Sequence, residues 1–401
     1  MIEIEKITDE QDLMKSFVKD LSEKYDLEYM LEKVRNKEFP IELWNDIAKN
    51  EYIGIITPEE YGGGDFKIDD LRVFVGDMAR NGLMMLQLAS QIIDCDIIAK
   101  YCNEDQKSKY IPQIFSGTRC SFAMTEPESG ESTFDLKAIA SKEGDYYKLN
   151  GHKTYITGAK ESKYMLVVAR TMPYKDVKDI DKHLGVSLFF IDTESQGIAM
   201  TPQDIGFRAT SLREEMLITG DIQYDVHFAD VRVPKENLIG EEDEGGRYLY
   251  DSFNLSKIMT AAMAIGWGRN VLDRAVEYAK QRAIFEDPIG SYQAIQHPMA
   301  RAKTDLELAN LTNQRAARAY DNGEDKREVS IYAEVAKFAA SEAAYKARDI
   351  AIQTHGGYSF DRDYGIIPFW QPILLTMIAP ISNEIILDHF GEYVLDLPKS
   401  L

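Results

Sequence analysis

The chain has 401 residues, 44% of them apolar, and a formal net charge of −21. Its length exceeds the roughly 250–300 residues at which single cores stop growing, so two or three domains are expected. The negative field opposes nucleic acid and anionic membranes as main partners, though a local basic pocket for an anionic ligand is compatible with it.

The N-terminal stretch MIEIEKITDEQ is acidic and reads as mature sequence, not as a targeting peptide. No uninterrupted apolar run approaches the roughly 18 residues of a membrane span. Cys95, Cys102 and Cys120 fit neither a disulfide framework nor a zinc spacing, so a reducing cytoplasm is expected. Residues 1–118 carry helix-like stretches broken by Pro40 and by the turn Pro58–Gly64, and predict an N-terminal helical domain. Across 119–240 the texture changes to β-branched and aromatic runs at 146–149, 153–157, 164–169, 186–191 and 222–233. Asn150-Gly151 and Gly220-Asp221 read as the turns between them, predicting a central antiparallel β-domain. Over 241–401 alanine-rich patterns of three- and four-residue spacing through 250–282, 291–321 and 328–353 predict long, closely packed helices.

Two motifs stand in order in the β-domain. Phe122-Ala123-Met124-Thr125-Glu126-Pro127-Glu128-Ser129-Gly130 is followed about twenty residues later by Leu149-Asn150-Gly151-His152-Lys153-Thr154-Tyr155-Ile156-Thr157. Together they resemble the paired signature of the acyl-CoA dehydrogenase family. The resemblance continues through Phe228–Pro234, Asn237–Gly240, Arg282, Phe285, Gln293 and Gln353-Thr354-His355-Gly356-Gly357. It implies an α+β multidomain fold ending in a four-helix bundle, FAD as cofactor and a CoA thioester as substrate. It also implies an electron-transfer flavoprotein as acceptor and a homo-oligomer, a tetramer by analogy. Phe122, Met124, Thr125, Gly130, Glu131, Tyr155, Ile156 and Thr157 would then meet the flavin, as would Ser382 and Glu384 near the C-terminus. Donors beside N5, O4 and O2 stabilise the charge that reduction places on the ring. Arg282 and Gln293 would meet the FAD pyrophosphate and adenylate of a neighbouring subunit, with Phe285 also at the cofactor, and Gln353, Gly356 and Gly357 would meet the dinucleotide from another direction; a guanidinium suits phosphate through two parallel charge-assisted bonds.

The sequence departs from the family where the chemistry is done. The usual base is a glutamate in the final helical region, and Pro380 stands there. The alternative position, on the first long helix of the bundle, holds Ser256. Proline also lacks the N–H that the family donates to the thioester oxygen. Glu131 and Ser132 replace the usual serine and aspartate. Lys257 replaces an arginine, so Lys257 and Asn254 are thioester-side candidates.

A replacement carboxylate is sought in Leu83–Tyr101, which the resemblance places along the acyl pocket. Asp94 shares a helical face with Gln87, Ser90, Gln91 and Ile98, a polar face suited to a cavity, while Asp96 lies with Ile92 and Ile93. Desolvation would raise the pKa of such an aspartate toward neutrality, as a base requires. A base moved away from the thioester resembles the subgroup that acts on alicyclic CoA thioesters. The expectation is 1,4-elimination on cyclohex-1-ene-1-carboxyl-CoA with Asp94 as base. The rivals are ordinary α,β-desaturation of a CoA or carrier-protein thioester, a flavin oxidase or monooxygenase, and a non-catalytic flavin-binding subunit.

Overall fold

A computed structural model of the chain describes residues 5–130, 132–177, 179–203 and 219–399. Six helices come first: α1 (Asp9–Lys24), α2 (Leu27–Asn36), α3 (Ile41–Lys49), α4 (Ile68–Arg80), α5 (Leu86–Tyr101) and α6 (Glu104–Phe115). Their starts are chemically marked. Thr8 and Gln11 close a capping box on α1, and Asn103 with Gln106 does the same for α6, satisfying N–H groups that a helix leaves unpaired.

The sheet that follows contains β1 (Cys120–Ala123), β2 (Ile139–Glu143), β3 (Tyr146–Thr157), β4 (Tyr164–Arg170), β5 (Val186–Asp192), β6 (Ile198–Pro202), β7 (Gln223–Pro234) and β8 (Leu238–Ile239), with the short helix α7 (Tyr174–Val177) after β4. The order is β6-β7-β3-β2-β4-β5-β8, with β1 added alongside β4. Strand β4 is buried along its whole length. Met165, Val167 and Ala169 enter the core of the β-domain, while Leu166 and Val168 pack with the helices, as a period of two requires.

Two sequence expectations change here. The sheet is not wholly antiparallel, because β1 and β2 both run parallel to β4. The β2–β3 hairpin between β1 and β4 is long enough to return the chain in the same direction. Asn150-Gly151 is not a hairpin turn either; it lies inside the 12-residue strand β3, at a shift of register against β7. Asn150 exchanges hydrogen bonds with Asp230, Nδ2 to Oδ1 at 3.0 Å and Oδ1 from the backbone N–H at 2.8 Å. A Cβ on Gly151 would fall 2.5 Å from Ala138 Cβ, so β3 must bulge at a glycine to pass β2.

The bundle opens with α8 (Gly245–Gln281), 37 residues and about 55 Å long. A small hairpin, β9 (Ala283–Ile284) with β10 (Asp287–Pro288), leads to α9 (Gln293–Asp321), α10 (Lys326–His355), α11 (Trp370–Ile378) and α12 (Asn383–Tyr393). Thus three long helices pack together and the short α11–α12 pair completes the bundle. Ala333, Ala336, Ala340, Ala344 and Ala347 are fully buried along α10, which lets neighbouring backbones approach closely. Within 367–393 one window reaches a mean hydropathy of 1.3. The turn at 379–382 cuts this stretch into helices of 9 and 11 residues, each well short of the ~20 that cross a bilayer.

Candidate active site

The two sequence motifs meet at the end of β1. The Thr154 N–H donates to Thr125 O at 2.9 Å, and Lys153 Nζ donates to Met124 O at 2.7 Å and Glu126 Oε1 at 2.8 Å. Glu126 in turn accepts from the backbone N–H of Lys137 at 2.5 Å and of Ala138 at 3.0 Å. One buried ion pair therefore holds the 124–126 loop, strand β3 and the start of β2 together. Burial pulls the Lys153 ammonium down to about 8 despite the opposing Glu126 charge.

Beside this pair, β3 loses register a second time between Lys153 and Ile156. Tyr155 sits there at φ +57°, a conformation that L-residues disfavour, and its side chain is 62% exposed between the buried Thr154 and Ile156. Thr157 Oγ1 donates to Gln223 Oε1 at 2.9 Å. Phe122, Met124 and Thr125 are half-buried and Gly130 is exposed; Glu131 lies outside the described residues. An aromatic face held outward on strained backbone, next to a hydroxyl and loop N–H groups, fits an isoalloxazine wall.

Helix α5 closes this region. Asp221 caps it, accepting from the N–H groups of Leu86 at 2.6 Å and Gln87 at 3.2 Å. Burial raises the Asp221 carboxyl to about 7 against those two bonds. Leu86, Ala89, Ser90 and Ile93 form a half-open face at helical spacing. The Gln87–Gln91 face docks instead on β1. Gln87 Nε2 donates to Cys120 O, Cys120 N–H donates to Gln91 Oε1 at 2.7 Å, and Gln91 Nε2 donates to Thr118 O at 2.9 Å. Gly158 sits at φ +59°, and a Cβ there would lie 1.7 Å from Gln87 Oε1, so any other residue would be strained and would displace the Gln87 amide. The polar side chains expected to line a cavity are thus spent on sheet edges, because backbone groups of β1 need partners.

The two aspartates of α5 part company. Asp96 pairs with Lys100 at 2.7 Å. Asp94 is fully buried, and neither carboxyl oxygen has a hydrogen-bond partner among the described residues. Burial alone pushes its carboxyl well above the usual range. It sits one residue from Ile93 and one turn from Ser90, on the border between the half-open face and the β1 seam.

The turn between α11 and α12 packs on α10, where Lys337 reaches it. Ser382 caps α12 by accepting from the Ile385 N–H at 3.3 Å, and Glu384 and Pro380 are exposed. Neither Pro380 nor the half-buried Ser256 brings a carboxylate. Lys257, on α8, donates to Glu334 Oε1 at 2.9 Å, Ser330 Oγ at 3.1 Å and Asn254 Oδ1 at 3.3 Å. Its ammonium is therefore engaged inside the bundle and not directed at an open site, and Asn254 is buried with it. His389 Nδ1 meets the other Glu334 oxygen at 2.7 Å.

The remaining sequence candidates gather at the opposite end of α8. Arg282 follows its last residue, about 38 Å along the axis from Lys257 at 1.5 Å per residue. Phe285 is 89% exposed, and Gln293 and Gln353 are also exposed. Tyr278 stacks on His355 at 4.3 Å, which brings the Gly356-Gly357 turn to the same end. A Cβ built on either glycine meets nothing within 4 Å. A guanidinium with no hydrogen bond or ion pair among the described residues, at the same end of α8 as an open glycine turn, fits a pyrophosphate. No local pattern in the sequence marks the roles of Glu126, Lys153 or Asp221. A lysine inside an alanine-rich helix face was the one available signal for Lys337.

Models of the acyl-CoA dehydrogenase N-terminal, middle and C-terminal domains match residues 8–118, 121–231 and 243–395. The chain belongs to the acyl-CoA dehydrogenase family. It is 35% identical over 378 residues to the acyl-CoA dehydrogenase FadE12 of Mycobacterium tuberculosis, covering 94% of this chain and 93% of that one. It is 30% identical over 382 residues to the CarC subunit of the caffeyl-CoA reductase-Etf complex of Acetobacterium woodii, covering 94% and 96%. The solved butyryl-CoA dehydrogenase of Megasphaera elsdenii superposes with a TM-score of 0.87 at 27% identity, over 98% of this chain and 99% of that one. This acyl-CoA dehydrogenase is accordingly an FAD-dependent oxidoreductase acting on the CH–CH groups of acyl-CoA thioesters.

Proposed function

We propose that the protein catalyses 1,4-elimination on a cyclic enoyl-CoA, cyclohex-1-ene-1-carboxyl-CoA being the favoured substrate, with Asp94 as the base. The observation that carries this reading is the Asp94 carboxyl itself, fully buried, unpartnered among the described residues, and bordering the half-open face of α5. A buried acid without a hydrogen bond costs stability, and among the described residues no ion pair or cap accounts for it. Both customary glutamate positions hold residues that accept no proton under these conditions, Pro380 and Ser256.

In a cyclic enoyl thioester, conjugation through the ring double bond carries the electron demand of the carbonyl to a ring carbon remote from the sulfur. A C–H bond there becomes acidic enough for a desolvated carboxylate. Asp94 takes that proton, a second ring hydrogen leaves with its electron pair, and the ring gains a conjugated double bond. FAD, when bound, supplies the hydride acceptor. Tyr155 walls off water, Ile156 being buried in the β-domain core behind it, while the Lys153–Glu126 pair holds the 124–126 loop in place.

The separation of Arg282 from Lys257 along α8 supports a homo-oligomer, a tetramer by analogy, in which one subunit's Arg282 end serves the flavin site of another. The Etf named with the related CarC subunit supports an electron-transfer flavoprotein as acceptor. Three buried free cysteines support a reducing cytoplasm. Anaerobic titration of the flavin with straight-chain, branched and alicyclic CoA esters tests the reading. Bleaching by cyclohex-1-ene-1-carboxyl-CoA in preference to butyryl-CoA is expected; preferential bleaching by a straight-chain ester overturns the substrate.

A further inference from the structure

Lys337 is fully buried in the middle of α10. Its ammonium donates to Met377 O at 3.1 Å, Ile381 O at 2.7 Å and Asn383 Oδ1 at 2.8 Å. No carboxylate lies within ion-pair distance of it among the described residues. Burial draws it down to about 8, opposed only by the more distant Glu384. All three acceptors belong to one stretch, the end of α11, the turn and the first residue of α12. Ser341, one helical turn along α10, adds a bond from Oγ to Asn383 Oδ1 at 3.1 Å.

Its other bond to α10 is a long one, from Asn383 Nδ2 to Glu342 Oε1 at 3.4 Å, and the outer residues of the turn face solvent. Ile378 is 60% exposed, and Pro380 and Glu384 are exposed too. Proline has no N–H with which the turn could brace itself. A cation at the carbonyl end of α11 also complements the helix dipole there. An apolar side chain of similar volume would fill the same space at less desolvation cost, so packing alone does not explain an ammonium at this position.

We propose that Lys337 is a positioning residue that fixes the Met377–Asn383 turn on α10 and thereby sets the backbone around Pro380 against which the CoA thioester seats. The inference rests on the reading that this turn borders the thioester, and it is independent of which residue is the base. Lys337 itself touches neither substrate nor flavin; it acts through Met377, Ile381 and Asn383.

The test compares FAD-loaded wild type, Lys337→Met, Lys337→Arg and Asn383→Ala. Thioester affinity is read from the perturbation of flavin absorbance on titration with cyclohex-1-ene-1-carboxyl-CoA, beside flavin content and melting temperature. Lys337→Met is expected to keep its flavin and weaken thioester binding about tenfold or more, the scale of one lost charge-assisted contact. Lys337→Arg should restore part of the loss, and Asn383→Ala, which removes one acceptor, should weaken binding by a smaller factor. Wild-type affinity in Lys337→Met overturns the inference. If Lys337→Met does not fold, wild-type affinity in Asn383→Ala overturns it in the same way. Binding needs no proton transfer, so a failure of Asp94 as base leaves this result unaffected. If no thioester perturbs the wild-type flavin, the underlying substrate reading has failed instead.

Discussion

The ammonium of Lys153 lies 2.8 Å from Glu126 Oε1, and their side chains are 0% and 1% exposed. Breaking such a pair from one side leaves an uncompensated buried charge. Lys153→Met should lower stability by about 3–5 kcal/mol and release the 124–126 loop. The double variant Lys153→Met/Glu126→Gln should recover part of that loss. Urea unfolding of the three proteins checks both statements, and flavin content should fall in the single variant.

Tyr155 is held at φ +57° with its ring exposed. Replacing it by glycine removes the backbone strain and the ring together. Tyr155→Gly should raise the stability of the flavin-free protein by about 1 kcal/mol, while weakening FAD binding. Calorimetry of the apoprotein and flavin dissociation measured by fluorescence should therefore move in opposite directions.

The first motif and the second were readable because each is local: a loop after a strand, and a strand with an aromatic residue at its bulge. The three-part layout followed from the change of hydrophobic period at β1 and again at α8. What the sequence left open depends on contacts between distant elements. Asn150-Gly151 looks like a hairpin turn until Ala138, just before β2, and Asp230 on β7 are seen to demand a bulge. Gln87 and Gln91 look like cavity polar groups until β1 takes them as backbone partners. Lys257 shows no local sign that Glu334, 77 residues on, will engage it.

The two aspartates of α5 should separate cleanly on mutation. Asp96→Asn removes an ion pair whose lysine is partly exposed, so a loss of about 1–3 kcal/mol is expected with turnover per folded molecule unchanged. Thermal melts and steady-state rates on the same samples check this.

Asp94 also leaves a signature in the pH dependence of stability. Its folded pKa is raised, so the folded state binds the proton more tightly than the unfolded state. Between the unfolded value of about 4 and the raised folded value, stability must fall as pH rises. Asp94→Asn carries no such group. The melting temperature of the variant should gain on wild type steadily from pH 4 upward, as measured by melts across a buffer series.

The most direct measurement is single-turnover, anaerobic reduction of the flavin by cyclohex-1-ene-1-carboxyl-CoA in wild type and Asp94→Asn. With Asp94 as base, the variant should bind the thioester and keep its flavin, yet reduce it at least about 10²-fold more slowly. Flavin reduction at the wild-type rate in Asp94→Asn would contradict the assignment.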